Sequence, residues 1–121
     1  LIFHTSWCDY CKLLIDGLAN NDSKVFFDEN FIIKTINLFD EKANAGAMKY
    51  FEELLEDNEQ GYPSTFIIDE NGKKLDHYYG YPFTETKIDS LTSILNKYSR
   101  LDNKQNELYL DILSEHFIHN N

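Results

Sequence analysis

Two cysteines stand three positions apart in Trp7-Cys8-Asp9-Tyr10-Cys11-Lys12, and the chain has no others. Cysteines at i and i+3 at the start of a helix lie one turn apart on one side, within reach of a small-loop disulfide. The unpaired amides and positive dipole end of such a helix favour a thiolate, most of all at the more N-terminal, more exposed sulfur. Cys8 is therefore the expected nucleophile. Cys11, a turn deeper, is expected to resolve a mixed disulfide by attacking Cys8 and releasing reduced substrate, with Trp7 shielding one side of the pair. The same spacing suits half of a tetrahedral zinc site, which needs two further ligands. With no second Cys pair, those would come from His4, His77, His116 or His119; the last two are helix-spaced, although solvent-exposed residues at a polar chain end are the plainer reading. An inert Cys pair is the third alternative.

Pro63 is the second residue of interest, in Gly61-Tyr62-Pro63-Ser64-Thr65-Phe66 between a helical pattern and an apolar strand. A cis bond there could turn the Tyr62 backbone outward without costing a ladder hydrogen bond. Read alone, an ordinary trans turn proline serves as well.

Several elements must position these residues. Leu1 to His4 reads as a short buried strand, with Thr5 and Ser6 as polar punctuation before the cysteine helix, whose buried face is Cys11, Leu14, Ile15 and Leu18. Asn20 to Ser23 breaks that helix, and Asp22 or Ser23 can cap a short helical segment through Val25, Phe26 and Phe27. The β-branched run Phe31 to Leu38 predicts a central strand covered on both faces. Asp40 can cap a helix over 41–57 with Ala43, Ala47, Tyr50, Phe51, Leu54 and Leu55 inward, ended by Asn58 to Gly61. Thr65 to Asp69 and Lys73 to Tyr79 are strands joined by a hairpin at Asn71-Gly72. After Gly80-Tyr81-Pro82, a helix over 84–97 buries Ile88, Leu91, Ile94 and Leu95. Beyond Arg100 the pattern turns polar, then predicts a helix with Leu108, Tyr109, Ile112, Leu113 and Phe117 on one face.

Length and composition set limits on function. A chain of 121 residues holds one domain and excludes a multidomain enzyme. With 42% apolar and 15% aromatic residues it buries a core unaided. Its net charge of −10, with no local basic cluster, argues against nucleic acid as a partner. No run approaches the roughly 18 apolar residues that span a bilayer. Two cysteines are too few for the framework of a disulfide-dense secreted scaffold. The sequence begins at Leu1, inside an apolar run and without an initiator Met, so a fragment or processed form is expected, before which a signal peptide could have stood.

Strand, WCxxCK helix, strand, helix, Gly-x-Pro-x-Thr strand, hairpin and final helix together resemble the thioredoxin fold over roughly residues 1–98. Within that superfamily, Asp22-Ser23-Lys24-Val25, the Tyr62 to Asp69 strand, Glu70-Asn71-Gly72-Lys73 and Gly80-Tyr81 are similar to thioredoxin-related proteins of the bacterial envelope. The resemblance implies an α/β thioredoxin-like domain over 1–99, with a mixed sheet flanked by helices, and a C-terminal helical extension over 100–121. It implies thiol–disulfide exchange with Cys8 attacking, Cys11 resolving, and Pro63 in cis beside them so that Tyr62 pairs with substrate backbone. The substrate-binding residues are then Trp7, Tyr62 and Pro63. No metal is implied, and no cofactor beyond the Cys8–Cys11 disulfide. Disulfide-bearing proteins and an upstream thiol donor are the expected partners, a monomer the expected state, and the bacterial periplasm or cell envelope the expected location, with the cytoplasm as alternative.

Three departures from the family pattern are present. Cytosolic thioredoxins typically carry a buried acid on the first strand, six residues before the nucleophile, where this chain has Ile2. Proton transfer to and from Cys11 then needs another group or water, and His4 is the candidate, against the plainer reading of a packed or edge histidine. The N-terminal strand and helix of the full fold have no counterpart in these residues. Between the cysteines stand Asp9 and Tyr10 in place of the Gly-Pro of thioredoxin. A carboxylate at Asp9 opposes a Cys8 thiolate and competes for the helix dipole, unless it simply points into solvent. Asp9 and His4 are thus the expected pKa-tuning residues, and the Asp9 carboxylate favours a reductase over an oxidase. An isomerase that dimerises through the helix after Arg100, and a peptide-binding module without turnover, are the alternatives.

Overall fold

The computed structural model describes residues 1–38, 44–56, 61–99 and 103–119. In chain order the elements are β1 (Ile2–His4), α1 (Asp9–Leu18), α2 (Lys24–Asn30), β2 (Thr35–Asn37), α3 (Asn44–Leu55), β3 (Ser64–Ile68), β4 (Lys74–Tyr79), α4 (Glu85–Lys97) and α5 (Asn103–His119). The strands form one mixed sheet in the order β2-β1-β3-β4, parallel between β1 and β2 and antiparallel elsewhere. This is the α/β architecture that the resemblance implies. The chain divides into two compact units, one of the described residues among 1–12 and 33–81, the other of 13–32 and the described residues from 82 onward.

The first unit contains the whole sheet. Phe3, Leu38, Phe51, Leu54, Leu55 and Phe66 form its core, with Phe3 wedged 4.8 Å from Phe51 and 5.8 Å from Phe66 between ring centroids. α3 presents Phe51, Leu54 and Leu55 at i, i+3 and i+4, the stripe expected of a helix laid on a sheet. Its last carbonyls are met by Lys74, whose Nζ donates to the Leu54 oxygen at 2.8 Å. Asp40, Glu41, Ala43, Asp57 and Asn58, expected at the ends of this helix, lie outside the described residues. The β3–β4 turn is held by Asp69, whose Oδ1 accepts from the Asn71 and Lys73 amides at 2.9 Å each. Gly72 takes the positive φ of 80° that the turn requires.

The run from Phe31 is not the central strand its composition predicts. Only Thr35–Asn37 pairs, with β1 alone among the described residues, so β2 is an edge. α2 continues to Asn30, and Phe31 closes it: its amide donates to the Phe27 oxygen at 2.9 Å and its ring packs 5.9 Å from Phe26. The following residues are spent returning to the sheet, and Ile32 is left 84% exposed.

In the second unit α4 starts at Thr84, whose Oγ1 accepts from the Lys87 amide at 3.2 Å as a helix cap, and buries Ile88, Leu91 and Leu95. α5 buries Asn106, Leu110, Leu113 and Phe117. Leu108, expected inside, is 62% exposed. The inward stripe is rotated toward Asn106, which is tied to Asn96 of α4 by a 3.0 Å hydrogen bond from its Nδ2. The expected domain boundary at residue 99 adjoins residues 100–102, which lie outside the described residues.

Candidate active site

The site begins where β1 ends. His4 is the last residue of the strand, its carbonyl accepting from the Leu38 amide at 2.9 Å, and Thr5 follows buried. The chain then turns through Ser6 and Trp7, the Cys8 amide donating to the Thr5 oxygen at 3.3 Å, and enters α1 at Asp9. Cys8 therefore occupies the N-cap position. Its Sγ accepts from the Cys11 amide at 3.2 Å, the i to i+3 geometry in which a serine or threonine oxygen caps a helix. An amide aimed at this sulfur stabilises a thiolate more than a thiol.

Cys8 and Cys11 are joined as a disulfide, their Cα atoms 5.2 Å apart. Cys8 is half-buried and Cys11 buried, so the first sulfur is the one open to a partner. Asp9, the first residue of the helix, is exposed, as is Lys12.

The sheet register brings the proline segment to the same end. Ile2 pairs with Thr65 and Phe3 with Ser64, so the next antiparallel step sets Pro63 opposite His4. The Tyr62–Pro63 bond is cis, and the Pro63 carbonyl accepts from the Gly80 amide at 2.8 Å. Ser64 Oγ donates to the Gly61 carbonyl at 2.7 Å. The Trp7 ring meets Tyr62 edge-on at 6.3 Å, and Tyr62 stacks on Phe51 of the core at 5.7 Å. Trp7 and Tyr62 thus come together. The His4 imidazole forms no hydrogen bond or ion pair with another described group.

Further contacts of the site are not legible in the sequence. Tyr10 lies 5.9 Å from the buried Tyr81 ring. The Tyr79 ring fills the space that a side chain at Gly61 would need, which is why residue 61 is glycine. Ile2, at the first-strand position six residues before Cys8, lies beside Thr65, which in turn pairs with Tyr78. The hydroxyls of Thr5, Thr65 and Tyr78 are buried without a hydrogen-bond partner among the described residues. Burial pushes the Tyr78 phenol up to about 12, so it stays protonated at neutral pH and cannot act as a base there. The alternation of β4 could have marked Tyr78 as inward-facing; the Tyr10–Tyr81 and Tyr79–Gly61 contacts depend on distant pairing and leave no local signal.

The other histidines are accounted for elsewhere. His77 stacks on Phe66 at 4.4 Å, and burial, then Lys74, hold its pKa below the ordinary value while Asp76 pulls the other way. His116 Nδ1 lies 2.9 Å from Asn20 Nδ2, and His119 Nε2 lies 3.2 Å from Glu115. Among the described residues no group of three or more His, Cys, Asp or Glu is placed to hold a metal ion. No helix among the described residues is long and apolar enough to cross a membrane.

A family model described as a thioredoxin-like domain matches residues 1–95. No curated protein and no solved structure matches the chain.

Proposed function

This chain belongs to the thioredoxin-like domain family and carries a CxxC disulfide, a combination that fits thiol–disulfide oxidoreductase chemistry, and from that premise we propose that it reduces disulfides of protein substrates. The observation that supports this most directly is the Cys11 amide directed at Cys8 Sγ, with Cys8 open and Cys11 buried. In the reduced chain the Cys8 thiolate attacks one sulfur of the substrate disulfide, forming a mixed disulfide and releasing the other sulfur as a thiolate that takes up a proton. Cys11 then gives up its proton and attacks Cys8 Sγ. The Cys8–substrate bond breaks, the second substrate sulfur leaves and is protonated, and the chain is left oxidised as Cys8–Cys11. A dithiol donor restores it by the same exchange in reverse, so no group beyond the two cysteines is needed.

Asp9 favours the reducing direction. Its exposed carboxylate stands in the first turn beside Cys8 and competes with the thiolate for the helix dipole, and no basic residue lies between the cysteines. A less stabilised thiolate places the pair nearer the reducing end of a family range of roughly −120 to −270 mV. Tyr62 offers its backbone to an extended substrate segment, with Trp7 and Pro63 beside it. The subfamily resemblance supports the bacterial periplasm or cell envelope as the place of action, with a monomeric chain taking electrons from an upstream thiol protein.

In Cys11→Ser, incubation with a disulfide-bonded protein should leave substrate covalently attached to Cys8, released by dithiothreitol. Trapping on Cys8→Ser instead, or on neither variant, would overturn the assignment.

A further inference from the structure

We propose that the surface around Cys8 selects disulfides set in cationic segments, with Lys or Arg beside the half-cystine, an inference that rests on the reductase reading above. Two aromatic side chains flank Cys8 in the chain and are exposed, Trp7 by 65% and Tyr10 by 51%, and a third, Tyr79, 49% exposed, lies against Gly61 next to the Tyr62–Pro63 segment. Each is held in place from within the unit, Trp7 by Tyr62, Tyr10 by Tyr81, and Tyr79 against the side-chain-free Gly61. Such rings lose little freedom when a partner lands on them. Their π faces carry partial negative charge and attract ammonium and guanidinium groups.

Charge points the same way. In Trp7-Cys8-Asp9-Tyr10 the exposed Asp9 carboxylate lies in sequence between two of these aromatics and next to the reacting sulfur. Lys12, also exposed, opposes it one turn further on, but the chain as a whole carries −10 and attracts cationic partners at a distance. An acidic segment meets a carboxylate, electron-rich rings and a repulsive net field. A neutral apolar segment gains the rings but neither charge effect. The cationic segment is the one occupant for which all three agree.

The test compares two disulfide peptides identical except for Lys or Glu on both sides of the half-cystine, with dithiothreitol as the dithiol that is oxidised as peptide is reduced. Flanking charge also alters the intrinsic reactivity of a disulfide, so each rate is divided by that with the neutral thiol mercaptoethanol. The normalised kcat/KM should favour the Lys peptide by about five-fold at low salt, and the ratio should shrink at about 0.3 M salt. The ratio should also shrink in Asp9→Asn and in Trp7→Leu, whatever these variants do to absolute rate. A ratio of one or less, or a preference unmoved by salt and by both substitutions, overturns the proposal while leaving the reductase reading intact. If neither peptide is reduced, the reductase reading itself fails, and this inference with it.

Discussion

Cys8 fills a helix-cap position with sulfur in place of oxygen, so the group that ends the strand-to-helix turn is also the more open sulfur of the disulfide. In the proposed reading its reactivity is tuned at short range, raised by the Cys11 amide aimed at its sulfur and opposed by the carboxylate of the adjacent Asp9. Asp9→Asn should lower the Cys8 thiol pKa, read from the pH dependence of alkylation. By stabilising the reduced form it should also raise the redox potential, by roughly 10–20 mV in glutathione equilibration. A downward shift would contradict the electrostatic reading. His77 offers a second prediction at this scale. Its folded-state pKa lies below the ordinary 6.5, so as pH falls the unfolded chain takes up the proton first. The stability from neutral His77 is full above about 6.5 and declines as pH falls toward the lowered value, levelling off below it. His77→Phe keeps a ring against Phe66 and removes the proton, so its urea midpoint should drop less than the parent's between about pH 7.5 and 5.5. Equal drops would show that His77 is not the group involved.

Two helical glycines give opposite expectations for the same change. Gly46 in α3 has nothing within 4 Å of the position a Cβ would take, so Gly46→Ala should stabilise by about 0.5–1 kcal/mol through helix propensity. Gly17 in α1 faces Phe117 of α5, whose Cε1 would lie 2.8 Å from the new Cβ, and that ring is fully buried. There the propensity gain of about 1 kcal/mol is set against overpacking of about 1–3 kcal/mol, and Gly17→Ala should come out neutral to destabilising. Denaturant titration of both variants checks the contrast. A clear stabilisation by Gly17→Ala would mean that α1 and α5 are less closely packed than described.

At the scale of the molecule, α5 belongs to a compact unit with α2, α4 and most of α1. Leu113 is fully buried in that unit, and Phe26 and Tyr109 pack at 6.4 Å within it. Leu113→Ala should therefore cost about 2–5 kcal/mol of unfolding free energy, the range for deleting a buried leucine side chain. A loss within about 0.5 kcal/mol, the range of surface substitutions, would mark α5 as a loose appendage instead.

The cysteine pair and the Asn71-Gly72 turn were legible in the sequence because each expresses a local rule: one helical turn of spacing, and a backbone φ that glycine tolerates. The stripe of α4 was legible for the same reason, since 3.6-residue periodicity is a property of the helix alone. The run from Phe31 misled because strand composition records apolarity and not what supplies it. Packing at the end of α2 gave Phe31 to Phe26 and Phe27, and the strand order left β2 an edge with one described neighbour. Leu108 pointed outward because the partner found by Asn106 on α4 sets the rotation of α5, a polar contact that no apolar count registers. The aromatic rim and the buried hydroxyls beside Ile2 likewise arise where residues 10 and 81, 61 and 79, or 2, 65 and 78 meet. Proximity across such separations is set by strand register and packing, which exist only once the chain is folded.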